Sequence, residues 1–204
     1  MASSDLIAQL VGKYMDPSAI RVVTGGVAQV TALLAQKVNY IMFTGGSVVA
    51  RIVMAAAAKN LTPVTLELGG RCPAYVDESA NITTTARRLL WSKCLNGGQA
   101  CIAPNHVLVH EKVRDALVEA IKFEQDRMYP GDLQKNPDLS RIINDHHFKR
   151  VVGLLENHGG KVVMGGKVDE TEHFMELTVI IDPDMDSMLM KEEIFGPILP
   201  VLAV

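Results

Sequence analysis

The chain has one tryptophan, few aromatic residues of any kind (5%) and only three cysteines. It also lacks any apolar run close to the ~20 residues that cross a bilayer. Its opening, MASSDLIAQLVGKYM, has no basic start followed by an unbroken apolar stretch, so no secretory signal is expected there. Lys and Arg (20) do not outnumber Asp and Glu (23), and the net charge of −3 is spread along the chain. Without a basic stripe to neutralise phosphates, neither nucleic acid nor an anionic membrane is an expected partner. Cys72, Cys94 and Cys101 are too few and too irregularly spaced for a disulfide framework, and an odd count leaves a thiol free. A reducing compartment, the cytoplasm, is the expected location. The six histidines (His106, His110, His146, His147, His158 and His173) fall in neither an H-E-x-x-H motif nor a pairing with Cys-x-x-Cys, so no metal is expected.

What remains is a chain of 204 residues, 48% hydrophobic and 21% charged, enough to close one or two small cores. Ser3 or Ser4 reads as the cap of a helix whose apolar stripe is Leu6, Ile7, Leu10, Val11 and Tyr14. A strand from Ile20 to Val23 follows. Beyond the Gly25–Gly26 break, Val27, Val30, Leu33, Leu34 and Val38 restore helical spacing, and Tyr40 to Phe43 read as a strand. Ser47 opens an alanine-rich helix, and VTLEL is a strand stopped by Gly69 and Gly70. Helices alternating with short strands imply parallel pairing through right-handed crossovers, hence an α/β fold. After residue 68 the rhythm loosens: a strand Ala74 to Val76, a helix Ile82 to Lys93, a turn of small residues, a strand His106 to Val109 and a long helix from Val113. A helix around Phe148 to Leu155 and strands near Val162 to Met164, Leu177 to Ile181 and Ile198 to Val204 complete the chain. Two domains, 1–68 and 69–204, are expected. The last strand, ILPVLAV, reads as an apolar edge that needs a cover, and a homodimer or a complementing chain is the expected assembly.

Three stretches invite chemistry. In VTLELGG, Glu67 sits inside an apolar strand, where an ionised carboxylate is costly to bury; it is either a tuned acid or a strand-end residue facing water. In LNGGQACIAPN, Gly97, Gly98 and Ala100 let backbone approach closely around Cys101. A thiolate there adds readily to a carbonyl, and nearby N–H groups could hold the resulting oxyanion. The alternative is a buried structural thiol in a turn. In FTGGSVVAR, glycines and a serine join a strand to a helix, a setting for phosphate at a helix N-terminus, although neither G-x-G-x-x-G nor a P-loop is present.

Taken in order, FTGGS, KNLTPVTLELGG, NGGQACIAP, SRIINDHHFKRV and KEEIFGPILPV resemble the aldehyde dehydrogenase superfamily over essentially the whole chain, nearest the branch acting on fatty and aromatic aldehydes. The resemblance implies a fold shortened at both ends: the second half of a Rossmann-like nucleotide-binding domain over 1–68, then part of an α/β catalytic domain over 69–204. It implies that Cys101 attacks the aldehyde carbon, that Glu67 activates the water that releases the acid, and that the backbone N–H of Cys101 forms half of an oxyanion hole. For the cofactor, NAD or NADP, it implies Gly45 and Ser47 near the pyrophosphate, Glu193 on the nicotinamide ribose and Phe195 lining its site, with Leu68 and Gly69 also among the cofactor-binding residues. Ala50 stands where the family has a second glycine after the FTG turn, Arg71 where it has lysine, and Ala100 where it has threonine or a similar residue.

Two further readings accompany the resemblance. The same Cys101 and Glu67 suit cofactor-independent chemistry on a carbonyl compound, such as isomerisation, cyclisation, dehydration or carbon–carbon bond formation. A non-catalytic binding protein is the third.

Overall fold

A computed structural model describes residues 2–204. The chain forms two compact units, Met1–Leu68 and Gly69–Val204.

The first unit runs α1 (Ala2–Tyr14), α2 (Val27–Leu34), β1 (Ile41–Thr44), α3 (Ser47–Ala58) and β2 (Val64–Glu67). β1 and β2 pair in parallel, Ile41 opposite Val64 through Thr44 opposite Glu67, with α3 as the crossover. Ala50, Val53 and Ala57 recur at helical spacing on one face of α3 and are its buried residues. The hydroxyl of Thr62 fastens the loop before β2 by donating to the Val38 carbonyl at 2.9 Å.

Two expectations fail in this unit. Ile20 to Val23 form no strand, because a β-branched run needs a neighbouring edge and the sheet here holds β1 and β2 only. Ser3 and Ser4 do not cap α1; the helix already includes them. The apolar stripe of α1 is as predicted, yet Leu6, Ile7, Leu10 and Tyr14 are exposed.

The second unit carries a five-stranded sheet in the order β3 (Pro73–Val76), β4 (His106–Val109), β9 (Ile198–Ala203), β8 (Thr178–Ile181) and β5 (Lys161–Met164). The first four strands are parallel and β5 is antiparallel to β8. Period-two alternation sends side chains to two cores. Val107, Val109, Val179, Leu199 and Val201 meet α4 (Ile82–Cys94) and α5 (Glu111–Met128) through Ala86, Leu89, Leu90, Leu117 and Ile121. Ile180 and Ile198 face the other way and pack with Val151 and Leu154 from α6 (Asp145–Gly153) and its end, and with Leu189 of α7 (Met188–Lys191). Two short strands, β6 (Val168–Asp169) and β7 (Phe174–Met175), pair as a separate ribbon, which sequence periodicity missed.

The fold is mixed α/β, as expected, but β9 is not an uncovered edge. It lies between β4 and β8, with Val107 opposite Val201 and Thr178 opposite Ile198. A nearly all-apolar strand is what a strand buried on both faces requires. Among the described residues no helix is long and apolar enough to cross a membrane.

Candidate active site

Cys101 lies in the connection between α4 and β4, and the sequence of that connection dictates its shape. α4 begins at Asn81, whose side chain accepts the Thr84 amide at 2.9 Å, and ends in a 3-10 turn over Leu95–Gly98. Asn96, Gly97 and Gly98 are all left-handed, with φ of 51°, 63° and 73°. Glycine is required at the last of these: a Cβ on Gly98 would lie 2.3 Å from the Gly196 carbonyl oxygen and 3.1 Å from that of Lys93. The turn is held by Gln99, which is 9% exposed. Its amide donates to the carbonyls of Asn96 (2.9 Å) and Arg141 (3.0 Å), and its oxygen accepts the Ile143 amide at 3.0 Å. The small residues thus allow a tight reversal, and a fully bonded glutamine fixes it.

Cys101 follows on the exposed side of this reversal, whereas Cys72 is half-buried and Cys94 buried. Burial pushes the Cys94 thiol up to about 12, so it stays protonated at neutral pH. The Cys72 thiol donates to the Cys101 carbonyl at 3.3 Å.

The segment between α7 and β9 carries Glu193 and Phe195. Oε1 of Glu193 accepts the Gly70 amide at 3.1 Å, and a Cβ on Gly69 would fall 1.9 Å from Oε2. Arg150 of α6 donates to the Glu193 carbonyl at 3.3 Å and the Ile194 carbonyl at 2.7 Å; Arg71 donates to the Met190 carbonyl. Phe195 is half-buried in the left-handed region, φ 46°, a backbone state that a phenylalanine holds only when its surroundings impose it. Asn105, 2% exposed, joins this segment to the thiol loop. Its Oδ1 accepts the Ile194 amide at 2.8 Å, its Nδ2 reaches the Glu192 carbonyl at 3.4 Å, and its own amide donates to Cys72 O at 2.8 Å. Hydrogen bonds therefore link the Cys101 loop to the segment that carries Glu193, and the Glu193 carboxylate lies against Gly69 and Gly70.

Glu67, Leu68, Gly45 and Ser47 belong to the first unit. Glu67 ends β2 with its side chain exposed, and its carbonyl accepts the Gly45 amide at 3.0 Å, so β2 shapes the turn between β1 and α3. That turn leads to Gly46, the N-cap of α3, which offers no side-chain bond to the amides of Ser47 and its neighbours. Leu68 is exposed. Within the first unit, the uncapped amides at the start of α3 are free to meet an anion such as a phosphate. Among the described residues no three His, Cys, Asp or Glu side chains form a metal-binding group.

Sequence reasoning missed Gln99, Asn105, Arg150 and Lys93. A polar Gln99 among glycines and alanines was a usable signal. The other three act on carbonyls or amides distant in sequence and gave none.

A family model described as "Aldehyde dehydrogenase family" matches residues 2–204. A rat "Aldehyde dehydrogenase, dimeric NADP-preferring" is 44% identical over 98% of the chain, and an Arabidopsis thaliana "Aldehyde dehydrogenase family 3 member I1, chloroplastic" is 46% identical over 100% of it. A solved structure described as the substrate-bound state of Staphylococcus aureus AldH superposes with a TM-score of 0.91 at 40% identity, over 98% of the chain. The match covers 44% of the rat protein, 38% of the Arabidopsis protein and 44% of the solved chain, so this chain spans less than half the length of each.

Proposed function

Because its match extends over residues 2–204, the chain belongs to the aldehyde dehydrogenase family, and from that premise we propose that it carries the thiol and cofactor-facing elements of an NAD(P)-dependent oxidation of an aldehyde to the acid. The observation that carries this reading is that Cys101 is the exposed thiol among the three, at the end of a tight reversal that left-handed glycines allow.

In the proposed reaction the Cys101 thiolate adds to the aldehyde carbon, and the carbonyl oxygen, now an alkoxide, is held by the backbone N–H of Cys101. A nicotinamide cofactor, when bound, supplies the hydride acceptor that leaves the adduct as a thioester. Glu67 then takes a proton from water, and the water oxygen attacks the thioester carbon, releasing the acid and the free thiol. Ser47 and the first amides of α3 would hold the cofactor's pyrophosphate, with Gly45 in the turn beside it. Leu68 and Gly69 would contribute to the cofactor site, Phe195 would line the place of the nicotinamide and Glu193 would accept hydrogen bonds from its ribose hydroxyls. The substrate is an aldehyde. By analogy with the relative whose name describes it as dimeric, the working assembly is a homodimer.

Calorimetric titration with NAD+ and with NADP+ tests the cofactor assignment. Binding of either, followed by growth of the reduced-nicotinamide absorbance when aldehyde is added, supports it. No heat at millimolar cofactor contradicts it for this chain, and aldehyde turnover without cofactor would favour the cofactor-independent chemistry instead.

A further inference from the structure

Lys93 closes α4 and is 1% exposed, the largest fully buried side chain in the unit. An ammonium has three donors. Among the described residues Lys93 makes one hydrogen bond, from Nζ to the Pro104 carbonyl at 2.9 Å. Methionine would fill the same space without desolvating an amine, so packing gives no reason for lysine here. The bond does have a geometrical consequence. Lys93 stands where the thiol loop leaves α4, and Pro104 stands three residues beyond Cys101, where the loop enters β4. Pro104 is followed by Asn105, whose amide, Oδ1 and Nδ2 are bonded to Cys72, Ile194 and Glu192. One side chain therefore ties the near end of the loop to its anchored far end.

We propose that Lys93 is a positioning residue for Cys101: its side chain holds Pro104 against the end of α4 and so sets the pose of the thiol between them. The importance of that pose rests on the reading of Cys101 as nucleophile, but the hold itself is measurable without it.

The hold is sensitive to pH. Burial pushes the Lys93 amine down to about 7, opposed in part by Cys94 on its own helix, Glu193 on the segment before β9 and Cys72 beside β3. His106 on β4 also faces it. A charged donor bonds a carbonyl more strongly than a neutral amine, so the loop is held tighter below this value than above it. For stability the sign is opposite. The unfolded lysine keeps its proton to about 10.4 while the folded one gives it up near 7, so this group's contribution to stability rises with pH between those values.

The test uses the full chain with Lys93→Met and Lys93→Gln, reading amide hydrogen exchange segment by segment and the rate at which iodoacetamide alkylates Cys101 from pH 6 to 9. Lys93→Met should accelerate exchange across residues 99–103 about tenfold, leave α5 unchanged and not lower the thermal midpoint at pH 6. It should also remove an inflection near pH 7 from the alkylation profile. Lys93→Gln, which keeps a donor without the charge, should restore slow exchange but not the inflection. Loop exchange within twofold of the parent, acceleration spread over the whole unit, or an inflection that survives in Lys93→Met each overturns the proposal. If Lys93→Met does not fold, the parent's profile and Lys93→Gln still decide it. Failure of aldehyde oxidation would remove the proposed function and leave these readouts unaffected.

Discussion

The Glu193 carboxylate rests on the glycine pair that opens the second unit: Oε1 accepts the Gly70 amide at 3.1 Å, and the Cα of Gly69 leaves no space for a methyl group, which would stand 1.9 Å from Oε2. The chain direction at Gly69 and the placement of a residue 124 positions later are thus one feature. If that carboxylate holds the cofactor's ribose, Gly69→Ala should weaken binding by displacing the Glu193 side chain.

The expected result for Gly69→Ala and Glu193→Gln is an NAD(P) dissociation constant raised about tenfold, the loss of one charge-assisted hydrogen bond, with the unfolding midpoint nearly unchanged. Calorimetric titration of both variants checks it. Unaltered binding in Glu193→Gln would remove Glu193 from the cofactor site.

Thiol reactivity should follow exposure. Iodoacetamide is expected to label Cys101 first, Cys72 more slowly and Cys94 only after unfolding, because burial holds the Cys94 thiol up at about 12. Peptide mass spectrometry over a time course reads the order. Cys94 labelling ahead of Cys101 in the native chain would contradict the assignment.

Gly98→Ala should be costly in a way that Gly97→Ala is not. At Gly98 the added carbon meets backbone oxygens at 2.3 and 3.1 Å, whereas at Gly97 its nearest neighbours lie at 3.4 Å. Both positions have positive φ, so each substitution carries about 1 kcal/mol of backbone strain. The clash should raise the Gly98→Ala cost to about 3 kcal/mol, measurable by urea unfolding.

Acid should loosen the packing of α5 through Glu124. This side chain is fully buried in the core and is bonded to Arg87 at 2.9 Å and Arg127 at 2.7 Å. The Arg87 bond, followed by that of Arg127, holds the carboxyl below its ordinary value despite desolvation. A lowered folded value means a stability contribution that is complete above the ordinary carboxylate range, about 4.3, and is lost as pH falls through the folded value. Thermal midpoints from pH 7 to 3 should drop more steeply for the parent chain than for Glu124→Gln, which starts lower. Parallel curves would show that Glu124 is not the group responsible.

Local patterns made much of the second unit legible. The helix expected over Ile82 to Lys93 matches α4 to within one residue, and His106 to Val109 gave β4 at its observed bounds. Patterns that depend on a distant partner were not legible. Ile20 to Val23 have strand-forming side chains but no adjacent edge, and the all-apolar β9 looked like an exposed terminus because sequence does not say which strands flank it. At the site, cysteine, glutamates and glycines stood out by residue type and order. Lys93 and Asn105 did not stand out, because their bonds to Pro104 and Ile194 exist only after the sheet has formed.

The central claim is that Cys101 bonds covalently to the aldehyde carbon. Mixing the chain with NAD(P)+ and an aldehyde, quenching in acid and sequencing the peptides by mass spectrometry tests it most directly. The account predicts an acyl group on the peptide carrying Cys101, absent from Cys101→Ser and accumulating in Glu67→Gln, where hydrolysis is slowed. An acylated Cys72 or Cys94, or acid formed at the parent rate by Cys101→Ser, would contradict it.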